Sequence, residues 1–325
     1  MRLLVIRRAD ELSVKGRATI VIKISDKIKE RGLRDIDAVL VIGSNVKIKS
    51  SLPPVLSMHN IPLAIMAKDN ISILINPIGT KYNNYRRLQY QLDKVKALDI
   101  ALEYIRAKIN GMKNILKYYR VDLPNTLPPP THIEDPEKYE LEIRLWESTL
   151  SHQLWYELIR LLKPDTLNIL RNKYRFSGRR PRHPDPFNKT LSVMYAVLYS
   201  LATKALIAAG LDPTYGFLHR TRYSTPLTFD YTEMFKPIAI QATIDLVNRE
   251  GLPEIGNDGE LTRDSVNKAI KQLYDYLTLK HKDTGKTPYQ QIHLKAFCLA
   301  KYLEGKCRRD RLTVTWSRSQ YRLKR

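Results

Sequence analysis

One stretch of the sequence gathers four side chains whose chemistry suits a divalent metal ion and a phosphate group. It reads GLDPTYGFLHRTRYSTPLTFDYTEMFKP and contains His219, Asp230, Glu233 and Lys236. If the chain is helical from about Leu227, the three-residue spacing of the two acids points both carboxylates to one side. Imidazole and carboxylate ligands suit Mn²⁺ or Mg²⁺ better than structural Zn²⁺, for which cysteines are expected.

A second segment places another carboxylate where the core is expected. In LEIRLWESTLSHQLWYELIRLL, apolar residues recur at helical spacing, and Glu147 fills the slot between Ile143 and Leu150. Burying a bare carboxylate costs several kcal/mol, so Glu147 must be paired, protonated or bound to a metal ion. The acids of the first stretch would, on their own, fit a solvated helix face equally well. Glu147 therefore favours the metal site.

The net charge indicates an anionic partner. The chain has 325 residues, and 55 basic against 33 acidic residues leave a formal charge of +22. Repulsion among so many positive charges destabilises the compact state, and binding of a polyanion would neutralise them. Nucleic acid is the first candidate. An acidic membrane surface is weaker, because no basic amphipathic helix with an aromatic apolar face is present, and we expect a cytoplasmic protein without a membrane partner.

Basic residues are concentrated in the segment RNKYRFSGRRPRHPDP, which the Gly and Pro content predicts to be a loop. Its interleaved Tyr174 and Phe176 suggest stacking on bases in addition to phosphate contact. The alternative is a solvated, flexible loop. The candidate nucleic-acid contacts are Arg171, Lys173, Arg175, Arg179, Arg180 and Arg182.

The pattern of the chain changes near residue 82. Short β-branched runs between turn signals predict a strand-rich unit over residues 1–81, with strands at Leu3–Ile6, Thr19–Ile24, Ala38–Ile42, Val46–Ile48, Leu63–Met66 and Ile71–Ile75. Apolar residues at helical spacing predict a larger all-α unit over 82–325. The fold class is therefore α+β. The two cysteines, Cys298 and Cys307, are expected to be a buried small residue and a free thiol. A short strand is expected at Leu312–Trp316 in the basic tail.

Several of these segments together resemble one family. They are RDIDAVLVIGSNVKIKSSLPPVLSMHNIPLAIM near the N-terminus, RRLQYQ at 86–91, AKIN at 107–110, the Glu147 segment, GRRPRHPDPFNKTLSVMYAVLY, and GLDPTYGFLH followed by FDYTEMFKP. The sequence resembles the CRISPR adaptation integrases, the family of CRISPR-associated protein one. The match covers nearly the whole chain.

The resemblance implies a β-sandwich-like N-terminal domain for dimerisation and an α-helical catalytic domain. It implies that Glu147, His219 and Glu233 bind Mg²⁺ or Mn²⁺, with Asp230 beside them and Lys236 near the scissile phosphate. The expected reaction is insertion of a short double-stranded DNA fragment into a CRISPR array, by attack of its 3′-hydroxyl on a repeat-leader phosphodiester. The expected partners are DNA, a second copy of the chain, and the small CRISPR-associated protein two bridging two dimers.

Two other functions remain open from the sequence. A nucleic-acid-binding scaffold with a vestigial site is less favoured, since it has no reason to keep Glu147 in an apolar stripe. A transposon integrase of the casposase type would keep the same catalytic residues. Such a relative is expected to carry an extra helix-turn-helix domain, whereas about twenty residues follow Glu304 here.

Overall fold

The N-terminal part is built from strands. A computed structural model describes residues 3–7, 9–43, 45–59, 61–67, 70–74, 83–219 and 224–322, with the backbone alone at 70–74 and 83. The strand-rich elements are β1 (Leu3–Arg7), β2 (Glu11–Lys15), β3 (Thr19–Ile24), β4 (Lys27–Gly32), β5 (Ala38–Ile42), β6 (Lys47–Ile48), helix α1 (Leu52–Met58), β7 (Leu63–Ala67) and β8 (Asn70–Leu74).

The strands form two four-stranded sheets of different character. One has the order β1-β5-β7-β8, with β1, β5 and β7 parallel. The other, β4-β3-β2-β6, is an antiparallel meander to which β6 adds in parallel. Strand β5 has no polar residue because both its faces are buried: Val39 and Val41 face the core between the sheets, and Leu40 and Ile42 face the helices.

The rest of the chain is helical. The helices are α2 (Asn83–Tyr90), α3 (Lys94–Tyr118), α4 (Pro136–Leu158), α5 (Pro164–Tyr174), α6 (Pro186–Ala208), α7 (Pro226–Thr232), α8 (Lys236–Glu250), α9 (Arg263–Leu277) and α10 (Pro288–Leu303). Five of them begin with proline, whose fixed φ suits the first turn and whose missing N–H would have no partner there. Strands followed by helices confirm the α+β prediction. The expected unit boundary near residue 81 lies outside the described residues.

Helix α6 is the central element. It packs against α7, α8, α9 and α10 on its helical side and against β5 and β7 on the other. It is long and apolar enough to cross a membrane, but 83% of its most apolar window is buried inside the fold. Lys204 on this helix also pairs with Asp37 of the strand unit at 3.0 Å. One continuous core therefore joins the two parts of the chain.

Three local predictions are wrong. Cys298 and Cys307 form a disulfide, because the chain turns back at Gly305 after α10 and brings their Cα atoms to 5.9 Å. Residues 312–316 form no strand; Leu312 and Trp316 bury their side chains against the helices without pairing their backbone in a ladder. The basic segment is a loop only in its second half, since α5 continues to Tyr174.

Candidate active site

Asp230 holds the loop that carries His219. After α6 the chain returns through residues 210–219 to α7, where Asp230 is 1% exposed. Its carboxylate accepts hydrogen bonds from the backbone N–H groups of Phe217 (2.6 Å), Leu218 (3.0 Å) and His219 (3.0 Å). It also contacts Nδ1 of the His219 ring at 2.5 Å. Because a carboxylate only accepts, Nδ1 carries the proton and Nε2 is the nitrogen suited to a metal ion.

Two residues outside the predicted site fix the same loop. The fully buried Gln89 donates to the carbonyls of Asp212 (2.9 Å) and Tyr215 (2.7 Å) and accepts from the Asp212 N–H at 2.9 Å. At Gly216 a Cβ atom would lie 2.2 Å from the His219 carbonyl oxygen, so only glycine fits. The sequence placed Gln89 within RRLQYQ but gave no sign of this role.

Glu233 lies between two lysines. It begins the 3₁₀ helix Glu233–Phe235 that joins α7 to α8, and its side chain is 4% exposed. Its Oε1 accepts a hydrogen bond from Lys236 Nζ at 2.5 Å. Its Oε2 lies 2.9 Å from Lys108 Nζ in an ionic contact, without a hydrogen bond among the described residues. The two acids of the predicted i, i+3 pair therefore have different partners. Asp230 binds the His219 loop, and Glu233 contacts Lys108 and Lys236.

Glu147 reaches the same cluster from α4. Its carboxylate accepts a hydrogen bond from Lys108 Nζ, and its side chain is 23% exposed. The stripe around it is buried as predicted, with Ile143, Leu150 and Leu154 fully inside the core. Glu147 is therefore paired, as the argument from burial required, and its partner is Lys108, which the sequence alone did not single out.

The charges of the cluster stabilise one another. Burial alone would raise the pKa of Glu233, but its electrostatic interactions with Lys108, Lys236 and His219 outweigh burial and lower that pKa to about 2. Burial alone would lower the pKa of Lys108, but Glu147 and Glu233 raise it above its ordinary value. Glu233 and Lys108 are consequently both ionised at neutral pH.

Part of the basic segment approaches this cluster. The Arg179 guanidinium and the Lys236 ammonium each lie 5.4 Å from the centre of the Tyr195 ring, which joins the two cations through its π-face. Asn188 Oδ1 accepts from Arg179 Nη1 at 3.0 Å and orients it. Phe176 is buried beside Phe187 and is not available for stacking on bases. The exposed basic residues of the segment are Arg171, Lys173, Arg175, Arg180 and Arg182.

The donor set has the chemistry that a hard divalent ion prefers. It consists of the Glu147 and Glu233 carboxylates and the His219 imidazole. Glu233 Oε2 is a buried oxygen that accepts no hydrogen bond from the described residues. Among those same residues, no three His, Cys, Asp or Glu side chains lie close enough together to share an ion. Lys108 Nζ lies between the two carboxylates instead.

The arrangement of a strand unit followed by a helical unit also occurs in solved structures. A solved casposase bound to integration product is similar over 100% of this chain and 96% of its own, with a TM-score of 0.78 and 24% identity. The Cas6-RT-Cas1–Cas2 complex contains a chain that is similar over 97% of this one and 36% of its own, with a TM-score of 0.70 and 17% identity. At these identities the likeness shows the fold.

The family follows from the sequence comparison. The family model described as CRISPR associated protein Cas1 matches residues 3–275, and the chain belongs to that family. A CRISPR-associated endonuclease Cas1 of Hyperthermus butylicus is 36% identical over 48% of this chain and 49% of its own length. The matched region thus spans about half of that relative. A CRISPR-associated endonuclease Cas1 of Saccharolobus solfataricus is 28% identical over 88% of this chain and 90% of its own length.

Proposed function

We propose that this chain is a CRISPR adaptation integrase, a metal-dependent DNA endonuclease and integrase that inserts short DNA fragments into a CRISPR array. The observation that carries the proposal is the meeting of Glu147, Glu233 and Lys236 from separate elements, beside a His219 loop fixed by Asp230, in a chain of the Cas1 family. The casposase likeness shows the fold alone and does not favour a transposon function.

Glu147, His219 and Glu233 would hold Mg²⁺ or Mn²⁺, since they are hard oxygen and imidazole donors from three elements. When bound, the ion would supply charge stabilisation at a phosphoryl oxygen. Asp230 keeps the His219 ring in one tautomer and orientation. Lys236, fixed by Glu233 and the Tyr195 ring, would offset the charge that develops on the phosphate in the transition state.

The test of the function is a joining assay. A labelled duplex fragment with free 3′-hydroxyl ends is incubated with a plasmid that carries a CRISPR repeat and leader, with Mg²⁺ or Mn²⁺ and separately with EDTA. We expect joined product with either ion, none with EDTA, and none from a fragment whose 3′-ends are dideoxy. Absence of product with both ions, when the small partner protein is also present, would overturn the proposal.

We expect the affinity for DNA to fall steeply as the salt concentration rises, because the basic residues mainly contact backbone phosphates. Replacing Arg179, Arg180 and Arg182 with alanine should weaken binding to all sequences alike and flatten the plot of log affinity against log salt by about 0.9 for each phosphate that is no longer neutralised. The measurement is a titration of duplex DNA at several salt concentrations. As a control of equal charge, Lys280, Lys282 and Lys286 are replaced together. If both triple variants give the same slope, the affinity for DNA depends on the net charge of the protein and not on this segment.

The assembly should contain at least two copies of the chain, since one site joins one 3′-end and a duplex has two. We propose a two-fold dimer through the strand unit, bridged to a second dimer by the small CRISPR-associated protein two. Strand β4 is exposed along its whole length at a sheet edge, and its Ile28 side chain is 64% exposed. An uncovered strand edge presents backbone N–H and C=O groups that can pair with a strand of another chain.

Ile28→Asp should therefore convert a dimer to a monomer at micromolar concentration, as measured by analytical ultracentrifugation. The matched control is Ile169→Asp. The Ile169 side chain is 50% exposed, and it lies on helix α5, outside both sheets. A substitution is preferable to deleting the strand unit, because deletion would uncover the apolar face of α6 that packs on β5 and β7. A dimeric Ile28→Asp variant would place the interface elsewhere.

A further inference from the structure

Lys108 has an unusual position for a lysine. It lies on the buried face of α3, with a side chain that is 9% exposed. Its ammonium group contacts two carboxylates from two other elements, Glu147 of α4 and Glu233 of the 3₁₀ helix after α7. Lys236, by contrast, forms an ion pair with Glu233 alone among the described residues. Lys108 is thus the cation that connects the two acids.

We propose that Lys108 is a positioning residue that acts as a built-in counter-ion: it holds Glu147 and Glu233 together in the metal-free protein and competes with a divalent cation for them. The part of this inference that concerns the cation rests on the proposed function. The part that concerns the two carboxylates rests on the contacts of Lys108 with Glu147 and Glu233. Two carboxylates brought to one point repel each other, and a positive charge between them removes that repulsion.

The competition follows from the same ion pairs. The carboxylates of Glu147 and Glu233, which would hold a divalent ion, are the ones that the Lys108 ammonium group contacts, so this group would have to leave its place between them. Lysine suits this exchange because its charge is carried on a flexible four-carbon stem and can move without moving the helix. The displaced ammonium would remain near the site and could then face the anionic phosphate of DNA. The site would in this way stay neutralised before and after the ion binds.

The test uses Lys108→Met, which keeps an unbranched side chain one atom shorter and removes its charge. In EDTA, its melting temperature should fall by about 5 °C or more, because the buried Glu233 carboxylate and the partly buried Glu147 carboxylate lose a shared partner. Its affinity for Mn²⁺, measured by titration with electron paramagnetic resonance of the free ion, should rise by about tenfold, because a competing positive charge is gone. The Mn²⁺-induced rise in melting temperature should also exceed that of the wild type.

The matched control is Lys113→Met. Lys113 is a half-buried lysine of the same helix that donates to the neutral Thr126 hydroxyl at 2.8 Å, so its replacement should leave Mn²⁺ affinity unchanged. If Lys108→Met does not fold, the double variant Lys108→Met, Glu147→Gln also removes the charge of Glu147, whose ion pair with Lys108 is lost, and should recover the melting temperature in EDTA. Failure of that recovery would overturn the counter-ion role.

The outcomes separate the two proposals. If the wild type binds no Mn²⁺, the proposed function fails, while the melting temperatures in EDTA still decide the holding role. If the wild type binds Mn²⁺ and Lys108→Met binds it equally or more weakly, competition is refuted and the proposed function stands. Tighter binding together with lower stability in EDTA supports both parts of the inference.

Discussion

Alanine at Glu147 or at His219 should abolish DNA joining while leaving DNA affinity nearly unchanged. Each residue supplies a donor to the site and neither presents positive charge to a phosphate. We expect the joining rate to fall by a factor on the order of 10³, comparable to removal of a group that stabilises charge in a transition state. The measurement is the initial rate of joining in Mn²⁺ at saturating protein, with DNA affinity determined in the same buffer.

Glu142→Ala is the matched control for Glu147→Ala. Glu142 is an exposed acid on the same helix, so its replacement changes the net charge equally without touching the cluster. Its joining rate should remain within about twofold of the wild type, as is usual for a surface substitution. A wild-type rate in Glu147→Ala or His219→Ala, with metal present, would contradict the proposed ligand set.

The sequence predicts a strand most accurately where β-branched and apolar residues are concentrated. The runs at β3 and β5 were found at their observed bounds because β-branched and apolar residues fill both. Two strands were missed, β2 and β4. The sequence KIKERG of β4 is charged and exposed throughout, and it is a strand because β3 pairs with it along its length. Pairing of this kind is a tertiary effect that local composition does not reveal.

The site shows the same division between local and long-range information. The loop signature with His219 and the helical slot of Glu147 are local patterns, and both could be read from the sequence. Lys108 could not be predicted, since it meets Glu147 across 39 residues and its helical period is that of an ordinary buried face. Gln89 is a stronger example, because its partners lie 123 and 126 residues away. Interactions of this range require the assembled fold.

Asp230 gives the second large prediction, because the structure assigns its oxygens to the His219 loop. Asp230→Asn leaves one amide oxygen where two carboxylate oxygens accept three backbone N–H groups and the His219 ring. The new NH₂ group also faces these donors. Loss of hydrogen bonds to a buried charged group should lower the free energy of unfolding by about 2–4 kcal/mol. Because the ring loses its orienting partner, the joining rate should fall by about 10–100-fold.

The control must separate reduced stability from altered positioning, and Asp245→Asn does so. Asp245 lies on the next helix, α8, and accepts hydrogen bonds from the hydroxyls of Tyr119 and Tyr276. Its replacement should therefore also destabilise the fold. Per folded molecule, however, it should join DNA at the wild-type rate. Unfolding in urea and the joining rate are measured for both variants. Equal loss of joining in the two would mean that Asp230 acts only on stability, and complete loss of Mn²⁺ binding in Asp230→Asn would make it a ligand.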